Sequence, residues 1–154
     1  MCIDADMVCF AFSKSPVLKS AVPVAIRELP EVRVALDRLE LSAVFDGTPE
    51  RPYAFIYHIT IHNESEEIVT LKGRKWVVRD TCGEVAIHEG DGVAGEFPRI
   101  APGESFHYSS YHLVSGSSNA EGAYLASGER GEAFLIRIPR FTMEVPGTAQ
   151  VRVA

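Results

Sequence analysis

The clearest alternation of apolar and polar positions lies in PYAFIYHITIHN, residues 52–63. Tyr53, Phe55, Tyr57, Ile59 and Ile61 fall on one face, and Ala54, Ile56, His58, Thr60 and His62 on the other. A period of two built from aromatic and β-branched residues predicts a strand with one face on a core. VRVALDRLELSAVF, residues 32–45, alternates with a slip of phase. Val32, Val34 and Leu36 keep the even positions, then Leu39, Leu41, Ala43 and Phe45 take the odd ones. A slip of this kind predicts a bulge or bend within a strand.

The same grammar continues downstream. NESEE (63–67) is a polar turn, IVTLKGRKWVVRD (68–80) a strand broken near Gly73, and VAIHEG (85–90) a return after a turn at Cys82–Gly83. Pro102–Gly103 suits the centre of a type II turn. SFHYSSYHL (105–113) alternates again, and VSGSSNAEG (114–122) reads as a flexible loop. AYLAS, a Gly-Glu-Arg-Gly turn at 128–131, and EAFLIRIPRF read as a closing hairpin. About seven short strands at this spacing predict an all-β fold, an antiparallel sandwich or barrel. Residues 1–30 resist assignment, because Pro16, Pro23 and Pro30 break any long helix there. They are expected to form an N-terminal extension to a domain spanning 31–154.

Composition narrows the function classes. The chain has 154 residues, enough for one domain with its own core, and a net charge of −6. That charge argues against nucleic acid and against an anionic membrane surface as partners. The longest apolar run near the start, Met7–Phe12, is far shorter than a membrane span and is preceded by Asp4 and Asp6. Cys2, Cys9 and Cys82 form no C-x-x-C pair, so the expectation is a cytoplasmic protein with free thiols.

HEGDGVAGEFP (88–98) contains Gly90, Gly92 and Gly95 in the G-x-G-x-x-G spacing of a dinucleotide fingerprint. That fingerprint requires a following helix whose amides face the pyrophosphate. Pro98, Pro102 and Gly103 exclude the helix, and Glu89, Asp91 and Glu96 bring the wrong charge. The glycines read first as turn formers with positive φ. A backbone nest for an anion is the alternative, and Gly90, Asp91, Gly92, Gly95 and Arg99 would then be its residues.

No catalytic or metal constellation emerges. His58 and His62 on one strand stand about 13 Å apart at roughly 3.3 Å per residue, too far for one ion. His107 and His112 fall on opposite faces, and His88 beside Glu89 and Asp91 reads as a solvated loop. Ser105, Ser109, Ser110 and Cys82 lack an evident activating base. The expectation is therefore a non-enzyme with no cofactor. Arg74, Lys75 and Trp76 lie in the one basic cluster, and are candidates for a protein interface. Trp76 reads first as a core residue. Alternation puts Lys72 and Arg74 on one face and Lys75 and Arg79 on the other, barring a bulge at Gly73.

The block from Arg51 to Phe141 resembles the ApaG domain. The stretches that carry the likeness are YAFIYHITIHNESEEIVTL, RKWVVRDTCGEV, GDGVAGEFPRIAPGESFHYSS, GAYLAS and FLIRIPRF, in that order. The resemblance implies an immunoglobulin- or fibronectin-III-like sandwich. It also implies a protein-interaction module, with a homodimer among the partners to be considered, and a link to cobalt and magnesium homeostasis. Phosphate or nucleotide binding at the glycine motif, with or without a divalent metal, is the second implied reading, and hydrolysis of dinucleoside polyphosphates the third. The chain departs from the family pattern at Lys75, Tyr111, Val114–Ser115 and Ala120, mostly in expected loops.

Overall fold

A computed structural model describes residues 25–43 and 47–146. Cys2, Cys9, Pro16, Pro23 and Phe45 lie outside those residues. Nine strands occupy the described chain: β1 (Ile26–Glu28), β2 (Val32–Leu41), β3 (Tyr53–Asn63), β4 (Val69–Asp80), β5 (Val85–Asp91), β6 (Arg99–Ile100), β7 (Ser105–Val114), β8 (Ser118–Gly128) and β9 (Ala133–Met143). They form two sheets. One runs β1-β9-β8-β4-β5 with β6 also on β4, and the other runs β2-β3-β7. The all-β sandwich expected from the alternation is present, with two short strands more than the pattern predicted.

Each inner face supplies half the core. Tyr57, Ile59 and Ile61 of β3 pack against Leu71 and Trp76 of β4, with Tyr124, Phe134 and Ile136 behind them. The polar alternates of β3 face outward, as a sheet with one solvated side requires. One enclosed polar side chain is well satisfied. Asn63, 1 % exposed, donates to the carbonyls of Glu67 and Ile100 and accepts from Ser65 N and Oγ, which ties the β3–β4 turn to β6.

The phase slip in β2 is a bulge, with the register against β3 shifting between Leu36 and Arg38. The 101–104 turn is type II, with Gly103 at φ 83° and Glu104 N–H donating to the Ala101 carbonyl. Three expectations need correction. Ile26–Glu28 pairs in parallel with β9, so the sandwich begins before residue 31. Residues 118–122, expected as loop, belong to β8 in the interior of the larger sheet, between β4 and β9. Their small side chains looked like loop composition, but Gly122 lies opposite Trp76 and leaves room for it. A Cβ there would stand 3.1 Å from Trp76 Cε3 and 2.5 Å from the Lys75 carbonyl oxygen. Finally, a bulge between Leu71 and Gly73 resets the phase of β4. Lys72 therefore no longer shares a face with Arg74, and it reaches over the Phe97 ring instead.

Candidate functional site

The glycine loop follows from backbone conformation. β5 ends at Asp91, and Gly92 turns with φ 64°. Ala94 and Gly95 then take φ 51° and 78°, the two positive values of a type I′ turn, and Val93 pairs with Glu96 across it. Val93 plugs the core, fully buried. Three amides of the loop have partners within the chain. Gly92 N–H donates to Lys72 O, and Val93 and Glu96 donate to each other's carbonyls. Arg99, on β6, pairs with Glu129 at the β8–β9 turn.

Gly90 has a different reason for being glycine. It faces Arg74 across the β4–β5 ladder, and a Cβ on it would sit 2.7 Å from the Arg74 guanidinium. That guanidinium donates from Nη1 to the carbonyls of Asp91, at 2.7 Å, and Gly92, at 3.1 Å. The loop thus holds an arginine in place.

Arg74 lines a cleft of about 320 Å³ between the sheets, bounded by edge strands β5 and β7. Arg51 from the segment before β3, Tyr57 from β3, Trp76 from β4, His88 from β5 and His112 from β7 share it. The aromatic groups are mutually packed. Tyr57 and Trp76 lie 5.1 Å apart, Trp76 and His112 4.7 Å, and His88 stacks on His112 at 6.1 Å. No Asp or Glu lines the cleft. Burial, with His88 alongside, pushes His112 down to about 3. Burial, aided by the Arg51 charge, also lowers His88. Both imidazoles are neutral at pH 7. Burial raises the Tyr57 phenol, despite its hydrogen bond to Ser110 and the Arg74 charge. The Trp76 indole N–H, beside the Tyr57 oxygen, also eases Tyr57 ionisation, whereas His112 Nε2 has no hydrogen-bond partner among the described residues.

Of the candidate interface trio, Trp76 is 2 % exposed and Lys75 8 % exposed. Neither is an exposed anchor. Lys75 projects to the outer side of β4 and pairs with Glu89 at 3.2 Å, while Arg74 and Trp76 turn inward to the cleft.

The outer face of the smaller sheet carries a relay that spacing alone had not joined. Ser109 Oγ lies 2.6 Å from His58 Nδ1, and His58 Nε2 lies 3.0 Å from Glu40 Oε2. The β2–β3–β7 register brings the three side by side, so strand pairing would have been the signal. The His58–Glu40 hydrogen bond holds the Glu40 carboxyl below the usual range. Neither Ser109 nor His58 lines the Arg74 cleft. His62 is likewise tied to Ser105, and His107 to Thr60. Among the described residues no three His, Cys, Asp or Glu side chains converge as a metal group. No helix among the described residues is long and apolar enough to cross a membrane.

Comparison with known proteins agrees with this geometry. The ApaG domain family pattern matches residues 46–127. Protein ApaG of Rhodospirillum centenum is 42% identical over 116 residues, covering 75% of this chain and 88% of that protein. Protein ApaG of Bradyrhizobium diazoefficiens is 40% identical over 126 residues, covering 77% and 97% respectively. The crystal structure of a putative ApaA protein from Bordetella pertussis superposes with a TM-score of 0.68 at 26% identity, covering 80% of this chain and 100% of that one.

Proposed function

The chain belongs to the ApaG family, and from that premise we propose that it is a non-enzymatic protein-interaction module that pairs an extended segment of a partner protein with the outer edge of β5. The observation that carries this reading is the character of that edge. β5 pairs only with β4 among the described residues, and it exposes Val85 and Ile87 side by side on one face, at 44 % and 58 %. Sheets protect their edges with charge, bulges or shortness. β2 follows that rule with Arg33, Asp37, Arg38 and Glu40 and a bulge, and β1 with only three residues. β7 presents Ser105, His107 and Ser109. β5 is seven residues long with no bulge against β4, and its charges, Glu89 and Asp91, lie beyond Val85–Ile87 at the far end of the strand.

Strand addition supplies backbone hydrogen bonds for affinity and alternate side-chain contacts for specificity. The partner segment therefore carries apolar residues at every second position, matching Val85 and Ile87. The absence of catalysis is supported by the setting of the Ser109–His58–Glu40 relay on the outer face of the smaller sheet, away from the Arg74 cleft.

A displayed library of ten-residue peptides, selected on the wild-type protein and re-tested on Ile87→Lys, examines this reading. The expected result is enrichment of alternating apolar sequences whose binding is lost in the variant at unchanged melting temperature. Failure to enrich any sequence, or binding indifferent to Ile87→Lys, overturns it. Self-pairing through the same edge would appear as a concentration-dependent dimer in sedimentation and would replace the heterologous partner with a second copy.

A further inference from the structure

We propose that the cleft between β5 and β7 is a binding site for a small-molecule oxyanion, a phosphate or carboxylate borne on a compact apolar or ring-shaped body. The site is separate from the outer edge of β5 and independent of whether a partner docks there.

Charge is the first argument. The protein carries a net charge of −6, yet Arg51 and Arg74 meet in a cleft without a carboxylate. Among the described residues the salt bridges of the arginines are those of Arg33, Arg38, Arg99 and Arg137, and neither Arg51 nor Arg74 takes part in one. Arg51 is exposed and Arg74 half-buried, and two like charges brought to one cleft favour a bound anion.

Preorganisation is the second. Arg74 Nη1 is fixed by two loop carbonyls, Asp91 and Gly92, and the guanidinium occupies the volume that a Cβ at residue 90 would fill. An arginine held this way loses little further freedom on binding and keeps its remaining N–H donors for a planar or tetrahedral oxyanion. The G-x-G of the loop therefore serves an anion through a side chain, while the Gly92 amide stays bonded to the Lys72 carbonyl.

Unmet polarity is the third. His112 is 5 % exposed, lines the cleft, and carries a ring nitrogen, Nε2, with no hydrogen-bond partner among the described residues. Leaving such a buried group unpaired costs stability. A ligand oxygen within hydrogen-bond reach of His112 Nε2 removes that penalty. The neutral imidazoles of His88 and His112 then flank the ligand without competing charge.

Volume sets the ligand class. At about 320 Å³ the cleft sits at the small end of ligand sites. It accommodates one anionic group with a small ring, and a dinucleotide exceeds it.

The chain's single tryptophan is a built-in reporter. The test is titration of the full chain with inorganic phosphate, phenyl phosphate, benzoate and neutral benzyl alcohol at constant ionic strength, read by Trp76 fluorescence and by amide NMR. Phenyl phosphate or benzoate is expected to saturate, with shifts at Arg74, Trp76, His88 and His112, and to move the His88 ring titration upward. Arg51→Met and Arg74→Met should each weaken binding at least about tenfold, from the loss of charge-assisted hydrogen bonds. Arg51→Met leaves the glycine loop intact, so its effect separates a lost ligand contact from a disturbed fold. Saturation by inorganic phosphate alone, without a gain from the ring, would reduce the site to a bare phosphate pocket and overturn the compact-ligand assignment. The oxyanion proposal fails outright on any of three results: no saturation at millimolar ligand, an equal response to benzyl alcohol, or shifts confined to Gly92–Gly95.

Discussion

Gly122→Ala is a small change with a large expected cost. Gly122 lies on β8 directly opposite Trp76 on β4. Its φ is not positive, so alanine adds no backbone strain. The added methyl would, however, stand 2.5 Å from the Lys75 carbonyl oxygen, 3.1 Å from Trp76 Cε3 and 3.1 Å from Ile138 Cδ1. The first of these is main chain in the adjoining strand and cannot rotate away. Overpacking of this severity lies toward the upper end of about 1–3 kcal/mol. Removing a glycine also restricts the unfolded chain, which returns about 0.4–1 kcal/mol. The net expectation is a loss of about 2 kcal/mol. Urea unfolding followed by Trp76 emission reads it directly, because the fluorophore is the group displaced. With a urea slope of about 1–3 kcal/mol/M the midpoint falls by roughly 1 M. Gly95→Ala is the control, since nothing lies within 4 Å of its added methyl and only the φ of 78° opposes it. A Gly122→Ala midpoint within about 0.2 M of wild type would refute the reasoning, because it would mean that β4 and β8 can part without loss.

Two further outcomes follow from local geometry and burial. Ala94 holds φ 51° at the first central position of a type I′ turn, so Ala94→Asn, giving Asn-Gly, should stabilise by about 0.5–1 kcal/mol and raise Tm by a few degrees; a lower Tm would contradict the turn assignment. His112 has its folded pKa depressed to about 3 from 6.5, so between those values the unfolded chain binds a proton that the folded chain refuses. The stability is fully present above about pH 6.5 and falls as pH drops, by up to about 1.4 kcal/mol per pH unit. Burial lowers His88 as well, so it adds in the same direction, whereas the depressed carboxyls of Glu28, Glu40 and Glu132 act only below their ordinary value of 4.5. Urea midpoints at about pH 7.5, 6 and 5 should decline for wild type and decline less for His112→Gln; a flat wild-type profile would show that His112 protonates without unfolding the domain.

The elements that the chain announced are those whose signal is local. The slip after Leu36 is a bulge because side-chain phase is a property of one strand. The Pro102–Gly103 turn follows from two residues with constrained φ. Ser118–Gly122 misled because its small residues satisfy a requirement set by Trp76, some forty positions upstream, and composition carries no trace of a partner strand. Ile26–Glu28 and Arg99–Ile100 are too short for a period of two to register. The cleft was legible only in fragments. Arg74, Trp76, His88 and His112 each drew notice, but five separate segments bring its lining together, and only the pairing of β3 with β7 and β4 with β5 makes them neighbours. The glycine motif was read correctly as turn chemistry at Gly92 and Gly95. At Gly90, its third reason for being glycine, the guanidinium above it, required the fold.

Hydrogen–deuterium exchange on the protein with and without a peptide selected on it tests the interaction reading most directly. Strand addition predicts slowed exchange of β5 amides across Val85–Asp91, and the same peptide should give no protection there in Ile87→Lys. Protection gathered elsewhere on the domain, with β5 exchanging as in the unbound protein, would contradict it.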